Sequence, residues 1–399
     1  MTETATPTVP GTADGTAPGT DPGLPDGRDT IGDLRISRIE SHLSPDGAVA
    51  VVRVRTTDGA EGIGQVAARN AHISVAVLHD LVAPLYLGAS AWDVGALSHR
   101  VPTELYKFSG TFLYRALGGV DTALYDLLGK AVGQPVHRLV GGGLRARVPV
   151  YASSLNRKIT PEDEAERMAR AVDEHGFRGI KVKIGQRMGG DVDVWPGRTE
   201  RMIERVSASL GDHVHLVADA NGGFTAGRAI EVGRRLEAHG FDHLEEPCPF
   251  QEYANTKRVA DALDIAVGGG EQDNALPVFE RLIHDRVVDI VQPDVCYVGG
   301  FTRALQVARM AEAAGIPCTP HCSTHSMIQV FTLHLAAAAP SLTQRQEWRL
   351  DEDPGWCRDL FEPVPRVVDG LVDVPTGPGW GIEPSAGFLA RAEVRASAR

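Results

Sequence analysis

An α/β architecture, a (β/α)8 TIM-like barrel preceded by an α+β module, follows from three observations. Short apolar runs ending in an ionisable residue recur between Ile180 and His321 at a nearly constant step. Asp219 to Glu245 and Glu245 to Glu271 are 26 residues each, Glu271 to Asp294 is 23, and Asp294 to His321 is 27. A step of that size holds one strand, one helix and two short connections. Second, amphipathic stretches such as AGRAIEVGRRLEAHG and FTRALQVARMAEAAG lie between the runs and close on glycine, which ends a helix cheaply. Third, eight strand-like runs can be counted, which favours a closed ring of parallel strands. The rival, an open doubly wound sheet, needs a glycine fingerprint after its first strand, and the chain has none.

Taken in order, residues 1–30 hold eight Thr, five Gly and five Pro with almost no large apolar side chain. Such a stretch cannot bury enough surface to offset its ordering entropy and reads as a disordered tail; lacking a basic start and an apolar core, it does not read as a secretory signal. Residues 31–147 form the α+β module. ISRIESHL, AVAVVRVRTTDG and EGIGQVAA are strands joined by turns at Pro45-Asp46-Gly47 and Asp58-Gly59. Helical periodicity then takes over, most clearly in GGVDTALYDLLGKAVG over 118–133. The barrel spans 148–350. Its strands are VPVYASS, GIKVKIG, HLVADAN, HLEEP, IAVGGGE, DIVQPDV, PCTPHC and QEWRL. Residues 351–399, turn-rich around GPGWGIE, leave the barrel and pack back on the first module.

The formal net charge of −12 argues against a nucleic-acid backbone or an anionic membrane as partner, and no apolar run is long enough to span a bilayer. It does not exclude an anionic substrate, because a bound cation reverses the field inside a pocket. Five scattered cysteines, Cys248, Cys296, Cys318, Cys322 and Cys357, suggest reduced thiols and a cytoplasmic home. Cys318 and Cys322 flank His321 at no common zinc spacing, so burial is the better reading.

The strand ends carry the chemistry. Lys181 and Lys183, two apart on a strand, point to one face, where paired ammonium groups would lower each other's pKa and make one usable as a base. Asp219, Glu245 and Glu271 end three consecutive strands; converging carboxylates repel unless a cation lies between them, and all-oxygen ligands suit Mg²⁺ or Mn²⁺. Glu246 competes with Glu245, and spacing alone leaves that open. Asp294 and His321 end the next two strands as an acid/base pair, the carboxylate fixing the imidazole tautomer. Glu347 completes the set on the eighth strand. In a ring of eight, the lysines and the dyad face each other across the metal position, an arrangement suited to removing a proton α to a carboxylate.

The motifs KVK at 181–183, DAN at 219–221, EEP at 245–247, GGE at 269–271, PD with VGG over 293–300, PH at 320–321, VDTALYDLLGKAVGQPVHRLVGG and GPGWGIE together resemble the enolase superfamily, in its mandelate racemase/muconate lactonizing enzyme branch. The resemblance implies that the N-terminal module and the C-terminal segment form a capping domain over the barrel mouth. It implies Mg²⁺ on Asp219, Glu245 and Glu271, Lys183 as a base with Lys181 beside it, His321 as the opposite acid/base, and Glu347 bonded to the substrate carboxylate. Cap loops near Ser41–Val49 and Gly62–Asn70 would choose the substrate. The expected activity is dehydration of a sugar acid to a 2-keto-3-deoxy acid, in a homo-oligomer, with racemisation or epimerisation by the same residues as the alternative. A non-catalytic binding protein on the same fold is the reading of another class. One departure is the segment GQRMGGDVDVWPGRTE (185–200), which stretches the gap from Lys183 to Asp219 to 36 residues. It either reaches the site or extends a loop, with Asp191 and Asp193 solvated rather than a second metal site.

Overall fold

The computed structural model describes residues 32–351, 355 and 359–399. The expected tail (1–30) and Cys357 lie outside the described residues. Strands β1 (Ile36–Leu43), β2 (Ala50–Thr56) and β3 (Glu61–Gln65) form an antiparallel sheet, joined by the two expected turns. A strand over Glu393–Ala398 adds antiparallel to the free edge of β1, so the end of the chain completes the first module's sheet. The helix Thr111–Ala131 lies directly on β2 and β3. Gly62 and Gly64 make this approach possible, because a Cβ on either would meet helix backbone atoms at 2.3 to 2.5 Å.

The barrel strands are β4 (Arg147–Ser153), β5 (Gly179–Lys183), β6 (His215–Asp219), β7 (His243–Glu245), β8 (Ala266–Gly269), β9 (Ile290–Val291) and β10 (Gln346–Arg349). Each pairs in parallel with the next from β4 to β9, and β10 returns to pair in parallel with β4. The seventh run, PCTPHC, holds its place as a single bridge between Cys318 and Val291, not a full strand. Pro317 and Pro320 remove two of its N–H donors, which shortens the ladder. The direction persists: Thr319 N–H donates to Val291 O at 3.0 Å and His321 N–H to Pro293 O at 3.1 Å. Among the described residues no helix is long and apolar enough to cross a membrane.

Buried carboxylates of the long helix tie the module to the barrel. Asp121 accepts from Thr302 N–H at 3.0 Å, at the start of the helix Phe301–Ala314. The glycines before it are required there: Gly300 has φ +111°, and a Cβ on it would strike Asp121 at 2.3 Å. Asp126 accepts from Ile63 N–H at 2.9 Å and from Trp380 N–H at 2.8 Å, joining β3 and the C-terminal segment to one side chain. Gln65 accepts from Met327 N–H at 3.0 Å, capping a barrel helix from the first module.

Candidate active site

The register brings the site together. Lys183 on β5 is opposite Asp219 on β6, which is opposite Glu245 on β7. One row across three strands therefore carries a cation and two carboxylates at the C-terminal end of the barrel. The row opens into a cavity of about 530 Å³ lined by Lys183, Asn221, Glu246, Glu271, Tyr297 and His321, with Arg69, Asn70 and Arg115 contributed by the first module. A volume of that size lies within the usual ~300–1,000 Å³ of small-molecule sites.

The two lysines separate in role. Lys183 lines the cavity, and its ammonium contacts Asp219 and, at 3.2 Å, Asn221 Oδ1. Lys181 is buried behind it, at 2.6 Å from Glu245 Oε1 and 2.7 Å from Glu347 Oε1. The expected mutual lowering of pKa is overturned for Lys181. Burial favours its neutral form, but Glu245 and Glu347 hold it well above the usual lysine range. Asp219 is correspondingly held low: burial opposes its charge, and Lys183, Lys181 and Arg157 outweigh burial.

Glu245 and Glu246 part company: Glu246 lines the cavity, while Glu245 is buried beneath it. Glu245 ends its strand pointing inward, where Gln292 Nε2 donates to it at 2.8 Å. A continuing strand would turn Glu246 outward. The backbone instead enters the left-handed region at Glu246, with φ +43°, and turns the side chain back to the cavity. Asn221, with φ +42°, does the same and donates to Glu246 Oε2 at 2.9 Å. Burial, then the charges of Glu271 and Asp219, push the Glu246 carboxyl well above its ordinary range. Sequence reading left Glu246 undecided and missed Asn221 and Gln292 as participants, although the motifs DAN, EEP and QPD contain all three.

Asp294 and His321 meet side by side. Asp294 Oδ2 is 2.9 Å from His321 Nδ1, and Asp294 Oδ1 is fixed by the N–H groups of Cys296 at 2.8 Å and Tyr297 at 3.0 Å. His321 Nε2 faces Glu271 Oε2 at 3.6 Å. Burial works against the imidazolium, yet Glu271, the Asp294 hydrogen bond and Glu347 raise His321 to about 10. Glu347 accepts from Lys181, from Ser153 Oγ at 2.7 Å and from Cys322 N–H at 2.7 Å. Burial alone would raise it; Lys181, His321 and Lys183 hold it down to about 2. With its oxygens occupied, Glu347 bears on Lys181 and does not line the cavity.

The 185–200 segment does reach the site, where Arg187 and Met188 line the cavity. Asp191 and Asp193 brace this loop. Asp191 accepts from Thr225 N–H at 2.7 Å, and Asp193 from Thr199 N–H at 2.6 Å. Of the two cap loops, Arg69 and Asn70 at the end of the second line the cavity, while 41–49 contributes no lining residue. Cys248, Cys296, Cys318 and Cys322 are buried free thiols.

The donor chemistry fits a hard divalent cation. Burial and the neighbouring carboxylates push Glu246 well above its ordinary range and Glu245 up to about 8, the condition a cation relieves. Among the described residues no three of them form a ready cage, because Lys183 and Lys181 take the oxygens of Asp219 and Glu245. Ligation therefore requires those contacts to open.

Residues 38–141 match the family model of the mandelate racemase/muconate lactonizing enzyme N-terminal domain, and residues 163–387 match the enolase C-terminal domain-like model. The chain belongs to the enolase superfamily. Within its mandelate racemase/muconate lactonizing enzyme family, the chain is 31% identical to arabinonate dehydratase of Saccharolobus solfataricus, over 84% of this chain and 87% of that one. It is 33% identical to D-galactarolactone cycloisomerase of Agrobacterium fabrum, over 67% and 71%. The crystal structure of a Roseobacter denitrificans protein, provisionally named a racemase, superposes with a TM-score of 0.89 at 46% identity, covering 92% of this chain and 100% of that one. A family member from Paracoccus denitrificans, crystallised in complex with magnesium, superposes with a TM-score of 0.82 at 31% identity, covering 92% and 99%. Relatives in this family are named dehydratases and cycloisomerases, and the chain is an enzyme, a lyase or an isomerase.

Proposed function

We propose that this enzyme dehydrates a sugar acid, removing the proton α to the carboxylate and expelling the β-hydroxyl as water to give a 2-keto-3-deoxy acid. One observation carries the reading: Lys183 and His321, from opposite parts of the ring, line the same cavity with carboxylates between them. Lys183, in its neutral form, takes the α-proton. His321, held charged by Glu271 and Asp294, gives a proton to the departing hydroxyl oxygen as the C–O bond breaks. The enol so formed then tautomerises to the ketone. Lys181 and Glu347 form a rigid charged support behind Lys183. Asp219, Glu245 and Glu271 would hold Mg²⁺, or Mn²⁺ on the same donors, and the ion would supply positive charge to the carboxylate as its α-carbon ionises.

Racemisation or epimerisation uses the same pair, His321 returning the proton to the opposite face, and the Roseobacter relative's name favours keeping it in view. Keto-acid formation from a panel of sugar acids with Mg²⁺, followed in deuterium oxide by NMR, separates the two. Dehydration yields keto acid carrying one solvent deuterium on the carbon that lost its hydroxyl, where the enol is protonated on tautomerising. Exchange at the α-carbon with inversion and every hydroxyl retained would overturn it.

A further inference from the structure

The cavity walls carry more positive charge than one carboxylate needs. Of its sixteen lining residues, Arg69, Arg115, Lys183 and Arg187 carry basic side chains, besides His321, while Glu246 and Glu271 carry carboxyl groups. This stands out in a chain whose formal net charge is −12. Several arginines elsewhere on the surface are matched: Arg35, Arg55, Arg100, Arg201 and Arg228 each pair with a carboxylate. Among the described residues Arg69, Arg115 and Arg187 form no ion pair.

Two of these guanidinium groups are brought to one place by the fold. Arg115, on the long helix Thr111–Ala131, stacks 3.7 Å above the Tyr297 ring, and the ring centre of Tyr297 is 5.8 Å from that of His321. Stacking fixes the guanidinium plane but leaves its N–H groups to bond elsewhere. They are poorly used: one bond to Ala68 O is long, at 3.5 Å, and the buried Nε has no partner. The adjacent Arg69 is held in the left-handed region at φ +68°, with its N–H anchored to Ala48 O at 2.6 Å. Its side chain lines the same cavity. A planar fork with no carboxylate partner, next to a second cation in the cavity that His321 also lines, is the chemistry that recognises a carboxylate.

We infer that Arg69 and Arg115 bind a second, distal carboxylate, so that the preferred substrate is an aldaric acid, a sugar acid with a carboxylate at each end. The inference rests on the proposed dehydration, with the reacting end at Lys183 and the chain running past His321 to the two arginines. Arg187, on the 185–200 loop, is not needed for it.

Matched six-carbon pairs, galactarate with galactonate and glucarate with gluconate, test it on the full chain with Mg²⁺, read by keto-acid release and by calorimetric binding. In at least one pair the diacid is preferred by about tenfold or more, the scale of one charge-assisted contact. Arg69→Met and Arg115→Met each shrink that preference at least several-fold, and Arg115→Lys restores part of it. Equal or better use of the monoacid in every pair, or a preference unmoved in both variants, overturns the assignment. Should a variant fail to fold by circular dichroism, the wild-type ratio decides alone. A diacid binding preference without keto acid from any substrate defeats the dehydration reading while leaving the two-carboxylate assignment standing. Monoacid turnover without diacid preference does the reverse.

Discussion

Lys181 and Lys183 share a strand face, yet their surroundings give them different chemistry. Lys181 is wedged between Glu245 and Glu347 with no route to substrate, so its charge serves the structure. Removing it leaves two buried carboxylates facing each other, and breaking buried pairs of this kind costs about 3–5 kcal/mol. Lys181→Met is therefore expected to lower the melting temperature markedly in calorimetry. Lys183→Met removes one carboxylate contact, with Asp219, at a cavity edge and is expected to lower it less. The order reverses for chemistry at the substrate: Lys183→Ala and His321→Asn are expected to cut kcat by roughly 10²–10⁴, the range of a lost general acid or base. Full turnover in both would mean that the bases lie elsewhere. Lysine spacing alone suggests mutual pKa lowering; the carboxylates that reverse it for Lys181 arrive from strands 64 and 166 residues further on.

Among the elements, β3 and the helix Thr111–Ala131 set how the first module stands over the barrel. Gly64 has no room for a methyl group, since its Cβ would lie 2.4 Å from Ala123 N and 2.5 Å from Gly119 O. Those are backbone atoms of a regular helix and cannot step aside. Gly64→Ala is expected to destabilise by about 1–3 kcal/mol, in the range of overpacked cores, read as a lower urea midpoint. The same shift would carry Arg69 and Arg115 away from the cavity, so substrate affinity should fall along with stability. The seventh run teaches a complementary point. Two prolines reduce it to a bridge, yet His321 keeps its position because its own N–H and that of Thr319 still find the neighbouring strand.

For the whole molecule, the seam between module and barrel makes stability depend on pH. His334, buried there, donates through Nε2 to Trp380 O at 3.2 Å and accepts from His137 N–H at 3.2 Å through Nδ1. Burial, reinforced by His137, lowers its pKa to about 3. The unfolded chain protonates this group near pH 6.5, whereas the folded one refuses the proton until about 3. Its contribution is therefore complete above 6.5 and is lost as pH falls toward 3. His79, lowered to about 4 chiefly by burial, acts in the same sense. Melting temperature is expected to drop on acidification from pH 6.5 to 4, and His334→Gln should flatten that slope while costing ~1–3 kcal/mol at pH 7. A slope unchanged by the substitution would place the acid sensitivity elsewhere. Mg²⁺ binding to the carboxylate row should in turn raise the melting temperature of the wild type, and Glu271→Gln should abolish most of that gain.

Read alone, the sequence determined which residues stand at the barrel mouth. Strand alternation and a repeating step are local rules, so Asp219, Glu245, Glu271, Asp294 and His321 could be placed on consecutive strand ends, and the motifs identified their family. Only the tertiary structure decided what each group meets. Glu246 reaches the cavity through a left-handed backbone turn, Glu347 points at Lys181, and Arg115 stacks on Tyr297 from a helix of the first module, 182 residues away in sequence. Charge state and ligand preference follow from such encounters between distant segments. Their energies depend on distances of a few ångströms, and no pattern along the chain records those distances.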